Sequence, residues 1–295
     1  MPTLTVFTPT YNRAHTLPRT YASLCRQTCT DFEWLVIDDG STDDTSTIVK
    51  HWCSENKIPI RYIYKENGGL YTGYNTAYLN MDSELCVCID SDDYMPDDAV
   101  GKIIHCWKER GGNQYAGIIG LDYFLDGTPI GGFFPKDLKT TRLLDLYTNR
   151  IHIGDTKSVL RTDLMKEVAP QIGFPGEKNF NPVYMQLQVD EKLPMLVINE
   201  NLCFVEYQDT DSMSKGIFRQ YMNSPRSFAK LRILEMTLSH SPWWNKVRSA
   251  IHYVANCIIA GNRHWLKESP LPCLTLIVSP AGVLVYFYIL YKAKR

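Results

Sequence analysis

The chain has 295 residues, 44% of them hydrophobic and 21% charged, which excludes a wholly disordered or collagenous polymer and leaves room for one large domain with a substantial appendage. The formal net charge of −1 hides a polarity: residues 1–212 carry 19 Lys/Arg against 30 Asp/Glu, and residues 213–295 carry 12 against 2. A basic end of this kind faces something acidic, but its Lys and Arg are scattered among apolar residues instead of lining one polar face, which disfavours nucleic acid and leaves an anionic lipid surface. The nine cysteines form no CxxC pair and sit in apolar surroundings, as reduced thiols do in a reducing compartment. The first ten residues lack the basic region and apolar core of a secretory leader, so a cytoplasmic location is expected.

In chain order, residues 4–8 read as a strand, 17–27 as a helix after the loop "PTYNRAHT", and 33–37 as a buried strand. "DDGSTDDT" then turns into a helix running to about residue 54. Residues 60–64, 85–89 and 116–120 are further strands, with helices near 74–81 and 96–110. Strands alternating with helices imply an α/β fold, a mostly parallel sheet with helices on both faces. Such sheets bind ligands at the carboxyl ends of their strands. Four polar loops follow strands here: "TPTYN", "DDGSTDD", "KENGG" and "DSDD". From about 121 to 212 the pattern loosens, and 195–205 reads as a closing pair of short strands. After residue 213 the chain becomes helical, basic and aromatic.

"DSDD" gathers Asp90, Asp92 and Asp93 at the end of an apolar run. Hard divalent cations such as Mg²⁺ or Mn²⁺ take oxygen ligands, commonly one or two carboxylates completed by water and substrate phosphates. Asp97 and Asp98 have a simpler reading, as acids at the start of the next helix, where they favour its dipole. In "VIDDGSTDDT", Asp38 and Asp39 leave a buried strand, Gly40 permits a tight turn, and Ser41 or Thr42 can cap the following helix. An acid at this edge can accept hydrogen bonds from a base or a ribose hydroxyl.

Together, "VFTPTYNRAHTL", "QTCTDFEWLVIDDGSTDDT", "ENGG...YN.A" and "CIDSDDYM.PD", in this order over residues 4–98, resemble a family 2 glycosyltransferase of the GT-A (Rossmann-like) fold. The resemblance implies an inverting, metal-dependent transferase acting on a nucleoside-diphosphate sugar. Thr8, Pro9, Tyr11 and Arg13 would line the nucleoside pocket, Asp39 would hold the base, and Asp38 would support that loop. Gly68, Gly69 and Asn75 would shape the wall beside uridine and diphosphate. Asp90 and Ser91 would meet the donor, and Asp92, with Asp90 and Asp93, would hold Mn²⁺ or Mg²⁺. Where the related third motif often reads "NGGKHTA.N", this chain has Leu70 and Tyr71, and a phosphate-facing cation is missing.

The resemblance also implies a general base in the second half. "FPGEKNFNP" offers Glu177, and Asp155 in "IHIGDTK" is the rival. His15 and His152 read as surface or packing residues. "EYQDTDSMS" resembles a segment that folds over the donor, with Asp211 or Ser212 at the diphosphate. No "QxxRW" element is present, so one sugar per encounter is expected instead of polymerisation. The expected division is a transferase domain over 1–212, with its donor and metal half at 1–98 and its acceptor half at 99–212, then a helical region over 213–295.

In that region Trp243, Trp244, Tyr253 and Trp265 are interfacial anchors, and Lys246, Arg248, Arg263 and Lys267 could meet anionic headgroups. Residues 271–291 carry no charge and would just span a hydrocarbon core, but Pro280 is expected to break a helix there. Peripheral or re-entrant attachment is therefore expected, with a glycan or lipid-linked acceptor. Two alternatives stay open: a sugar nucleotidyltransferase, disfavoured because "TPTYNRAHT" contains no glycine, and a non-catalytic binding relative of the same fold.

Overall fold

A computed structural model describes residues 1–206 and 216–294. In chain order the elements are β1 (Leu4–Thr10), α1 (Leu17–Cys25), β2 (Phe32–Asp38), α2 (Thr45–Glu55), β3 (Ile60–Tyr64), α3 (Leu70–Leu79), β4 (Leu85–Cys88), α4 (Ala99–Arg110) and β5 (Gly117–Tyr123). There follow β6 (Thr140–Thr141), α5 (Leu143–Thr148), β7 (Thr156–Arg161), α6 (Thr162–Val168), α7 (Val183–Lys192) and β8 (Met195–Phe204). The chain ends in α8 (Ile217–Asn223), α9 (Pro225–Thr237), α10 (Trp243–Ile259), α11 (Trp265–Glu268) and α12 (Pro272–Ala293). It divides into two compact units, Met1–Pro170 with Lys192–Glu206, and Gln171–Glu191 with Tyr207–Arg295.

The first unit is a mostly parallel α/β sheet in the order β3-β2-β1-β4-β7-β5-β8-β6. β3, β2, β1 and β4 run parallel, β7 is antiparallel to both its neighbours, and β5 is parallel to β8. β1 is buried along its whole length, as a strand covered on both faces must be. Alternate residues serve the two faces. Leu4 and Val6 join the cluster of Leu17, Tyr21 and Leu24 from α1, whereas Phe7 meets Tyr74 and Tyr78 of α3 edge-on, at 5.2 and 5.4 Å between ring centroids. On the α1 face Tyr21 stacks on Trp52 at 4.4 Å, beside the fully buried Trp34 of β2. Burial of each such ring contributes about 1.5–3 kcal/mol.

Two expectations about local structure are corrected. Residues 195–204 form one strand, not two; the interruption visible in the sequence is Asn199–Asn201, where pairing with β5 shifts register and Asn199 and Glu200 turn outward. α12 runs unbroken through Pro280. Proline removes the N–H that would reach the Leu276 carbonyl, and the Ser279 hydroxyl donates to that carbonyl instead, at 2.8 Å. Gly282 is a packing residue: a Cβ there would lie 2.5 Å from Val254 Cβ on α10.

The second unit is otherwise helical. α10 packs against both α9 and α12. α12 has 22 residues, mean hydropathy 2.1 and little of its surface buried, so by length and composition alone it could cross a membrane. Its outer face leaves Ile277 76% and Leu284 71% exposed.

Candidate active site

Because β3, β2, β1 and β4 are parallel neighbours, the loops that follow them share one edge of the sheet. The chain steps from β1 out to β2 and β3, then returns to the other side of β1 as β4. A crevice at such a reversal is where doubly wound sheets hold ligands.

The first two loops are laced together by Asn12, whose left-handed backbone (φ 53°) turns its side chain toward the second loop. Asn12 Oδ1 accepts from Thr42 N at 2.8 Å, and Asn12 N donates to Ser41 Oγ at 2.9 Å. Asp38 is fully buried and braces the turn, accepting from Ser41 N at 2.8 Å and from the Tyr62 hydroxyl at 2.6 Å. Asp39 is buried as well and fixes the third loop: Gly68 N and Gly69 N donate to its two oxygens at 3.0 and 2.9 Å, and Lys65 Nζ closes an ion pair. Gly69 has φ 93°, a conformation that disfavours a side chain. Asn75 lies half-buried on α3. Of the β1 residues, Thr8 is spent on the core, its hydroxyl accepting from Trp34 Nε1 at 3.0 Å, and Pro9 packs against Gly73. Tyr11 stands exposed at the rim, with Arg13 half-buried two residues on.

One face of α1 holds the loop after β4. Thr20 Oγ1 donates to the Asp93 carbonyl at 2.7 Å, Ser23 Oγ accepts from Met95 N at 3.2 Å, and Gln27 Nε2 donates to the Pro96 carbonyl at 2.8 Å. Arg19 donates to the Asp92 carbonyl, pairs with Glu206 at 2.6 Å and lies over the Tyr94 ring. Ser91 and Asp93 are buried, Asp92 is half-buried, and Asp90 reaches solvent.

Strand β7 supplies the rest. It runs against β4, with Val87 opposite Val159, so continuing that register brings Lys157 and then Asp155 alongside the DSDD loop. Lys157 is buried, 3.9 Å from Asp93 and 3.7 Å from Asp122 at the end of β5. Two acids thus share one ammonium. Burial pushes the Asp93 carboxyl up to about 8, against the pull of Lys157 and with help from Asp90 and Asp92. Asp122 is pushed up to about 6 by burial, again opposed by Lys157, with Asp155 and Asp90 adding repulsion. Asp90 is raised by desolvation where protein crowds it, and Asp92 and Asp155 add to the rise.

Among the described residues no three His, Cys, Asp or Glu side chains stand together as a ready-made metal cage. Of the three acids expected at a cation, Asp93 faces inward, 3.9 Å from Lys157. The remaining donors still fit a hard divalent cation. They are carboxylate oxygens, the ligand type such a cation prefers, and a bound positive charge would offset the repulsion between Asp90 and Asp92.

Glu177 belongs to the second unit and is spent on structure. Its oxygens accept from Arg226 N, Arg226 Nε and Ser227 N at 3.1, 2.9 and 2.8 Å, capping the start of α9. That geometry disfavours Glu177 as a base, whereas Asp155 stands close enough to Asp90 and Asp122 to raise both. His152 packs on Phe134 with ring centroids 4.9 Å apart, and His15 is exposed. Asp211 and Ser212 lie outside the described residues. Arg19, Lys65, Asp122 and Lys157 went unread in the sequence. Asp122 carries the signal that marked Asp38 and Asp90, an acid ending an apolar run, and Lys157 is a cation at an inward strand position.

The comparisons with known proteins agree with this architecture. A family model described as Glycosyl transferase family 2 matches residues 5–168, more than half of the chain, and the chain belongs to that family. Among curated relatives, the glycosyltransferase GlyA of Streptococcus pneumoniae is 38% identical over 97 residues, 33% of this chain and 14% of that protein. Validoxylamine A glucosyltransferase of Streptomyces hygroscopicus is 46% identical over 71 residues, 23% of this chain and 16% of that protein. Chondroitin synthase of Escherichia coli is 35% identical over 101 residues, 34% of this chain and 14% of that protein. The matches thus span only about a seventh of the length of these relatives. Among solved structures, S. aureus TarS 1-349 in complex with UDP-GlcNAc has TM-score 0.60 at 17% identity, covering 98% of this chain and 90% of that one. The mannosyltransferase PcManGT from Pyrobaculum calidifontis, in complex with GDP-Man and Mn²⁺, has TM-score 0.55 at 16% identity, covering 99% and 83%. At such identities the likeness shows the shared GT-A fold.

Proposed function

We propose that the first unit is an inverting transferase that moves one sugar from a UDP-sugar to a hydroxyl of a glycan or lipid-linked acceptor, at the cytoplasmic face of a membrane, in the building of a bacterial surface polysaccharide. The observation that carries this reading is the meeting, on one sheet edge, of the four donor-side loops with Asp155, which arrives from the reversed strand β7. The UDP-GlcNAc complex of TarS supports the donor class, and the chondroitin and hyaluronan synthases among the relatives support the polysaccharide setting.

In this reading Tyr11 and Arg13 receive the nucleoside over the floor made by Thr8 and Pro9. Asp38 and Asp39 hold the pocket in shape, and Gly68, Gly69 and Asn75 form its wall. Asp92 and Asp90, beside Ser91, would hold Mg²⁺ or Mn²⁺, which when bound offsets the charge of the departing diphosphate. Asp155 takes the proton of the acceptor hydroxyl as that oxygen attacks the anomeric carbon, and the carbon–diphosphate bond breaks on the opposite face. Lys157 keeps the inward acids from repelling the loop apart. The helical region over 213–295 attaches the enzyme to the membrane, a role supported by the exposed apolar face of α12.

Calorimetric titration with UDP, GDP and CDP, with Mn²⁺ present or chelated, tests the reading. Metal-dependent binding of UDP is expected. Failure to bind any of the three, in folded protein, would transfer the chain to the non-catalytic class.

A further inference from the structure

The second unit contains a cavity of about 680 Å³ between α9, α10 and the turn before α11. Its size is that of a small-molecule site, and its lining is of two chemical kinds. Phe174, Ile233, Tyr253 and Cys257 are apolar. Arg226 and Lys230, one turn apart on α9, line the same cavity. The Arg226 guanidinium is held through Nε by Glu177 at 2.9 Å and through Nη2 by the Pro175 carbonyl at 2.5 Å, lies over the Phe174 ring at 5.4 Å, and keeps Nη1 for a ligand. Lys230 makes no hydrogen bond or ion pair among the described residues. Two cations, Arg226 and Lys230, and one acid, Glu268, line the cavity, and Glu268 also accepts from Asn262 Nδ2 at 2.9 Å.

The apolar wall does not end at the cavity. Ala229, Ile233, Tyr253 and Cys257 belong to one hydrophobic cluster with Trp265, and with Leu271, Leu274 and Val278 at the start of α12. A ligand matched to this site carries an anion at one end and hydrocarbon at the other. The exposed apolar face of α12 and the excess of basic residues in the same unit place such a molecule at a lipid surface.

We infer that this cavity binds the phosphate head of an anionic phospholipid, with Arg226 and Lys230 on the phosphate and the apolar wall against the first carbons of its tails. The site fixes one lipid in a defined pose, which a merely sticky helix face would not do. Its test uses neither donor sugar nor turnover, so it stands or falls apart from the transferase reading.

The experiment is calorimetric titration of the full chain with short-chain phosphatidic acid, glycerol phosphate and short-chain diacylglycerol. Saturable binding of phosphatidic acid is expected, with affinity at least about tenfold above either fragment, because each fragment fills half of the site. Lys230→Met should weaken it about tenfold by removing a charge-assisted contact, and Ala260→Phe should weaken it by filling the cavity. Arg219→Met, an exposed cation outside the cavity, should leave it unchanged. Equal losses in Lys230→Met and Arg219→Met would reduce the effect to general charge and overturn the site. So would binding indifferent to Ala260→Phe, or glycerol phosphate binding as tightly as the lipid.

Discussion

Asp93 and Asp122 of the first unit and Glu177 of the second treat buried charge in opposite ways. At the sheet edge, Asp93 and Asp122 share the single ammonium of Lys157 at distances beyond hydrogen-bond length, and both are driven toward the protonated form. In the helical unit Glu177 receives three N–H donors, and Arg232 is gripped by Glu235, which also accepts from Ser249. A carboxylate with its donors supplied by the protein holds the fold together. Carboxylates with too few donors are costly to the fold, and a binding site is where such a cost is offset by a ligand. Sequence alone marks both kinds identically, as an acid in a loop.

The sharpest way to break this comparison is to exchange the two candidate bases. Asp155→Asn is expected to lower kcat by about 10²–10⁴-fold without loss of UDP binding; steady-state kinetics beside nucleotide titration checks the split. Asp92→Ala should lose at least about a hundredfold in turnover together with the metal dependence of UDP binding, read by titration with and without chelator. Asp92→Ala retaining near-normal turnover would remove the metal role from that loop.

His252 in the helical unit is not balanced in this way, and pH exposes it. His252 is stacked beside Tyr221 and flanked by Arg232 and Arg248, with Glu235 on the other side. Burial, then the two arginines, lower its pKa from 6.5 to about 4. A folded value below the unfolded one means that its contribution is complete above pH 6.5 and is lost as pH falls toward 4, worth about 3 kcal/mol. His252→Gln should flatten that part of the stability–pH curve, measured by denaturant unfolding. The smallest effect belongs to Glu177→Gln, which keeps one acceptor oxygen but loses charge. It should cost about 1–3 kcal/mol of stability and leave kcat per folded molecule unchanged. A thousandfold loss of kcat in a normally stable Glu177→Gln would restore Glu177 as the base.

Much of the first half was legible because parallel strands display their nature locally: continuous apolar runs, each ending in a polar loop. From "LTVF", "WLVI", "IRYIY" and "LCVCI", the four loops could be placed on one edge. The acceptor side was not legible in the same way. β6 has two residues and β7 alternates only weakly, so neither stands out from loop, and without β7 nothing in the sequence shows that Asp155 lies near Asp90. The surroundings of Glu177 were hidden for a different reason: its partners, Arg226 and Ser227, lie some fifty positions away. Pro280 misled because a local rule was overridden by the residue just before it, Ser279.

The reversed direction of β7 has a consequence for how this enzyme can diversify. A strand that runs parallel to its neighbours offers the crevice only the loop at its exit. β7 offers its entrance, so the segment between Tyr123 and Thr156 is tethered at both ends to the working edge, while the Val87–Val159 register pins its far anchor. That segment is a replaceable cartridge on a fixed mount. On the proposed reading, a laboratory graft of residues 124–154 that respects the register would exchange acceptor preference while leaving the donor pocket and the position of Asp155 untouched.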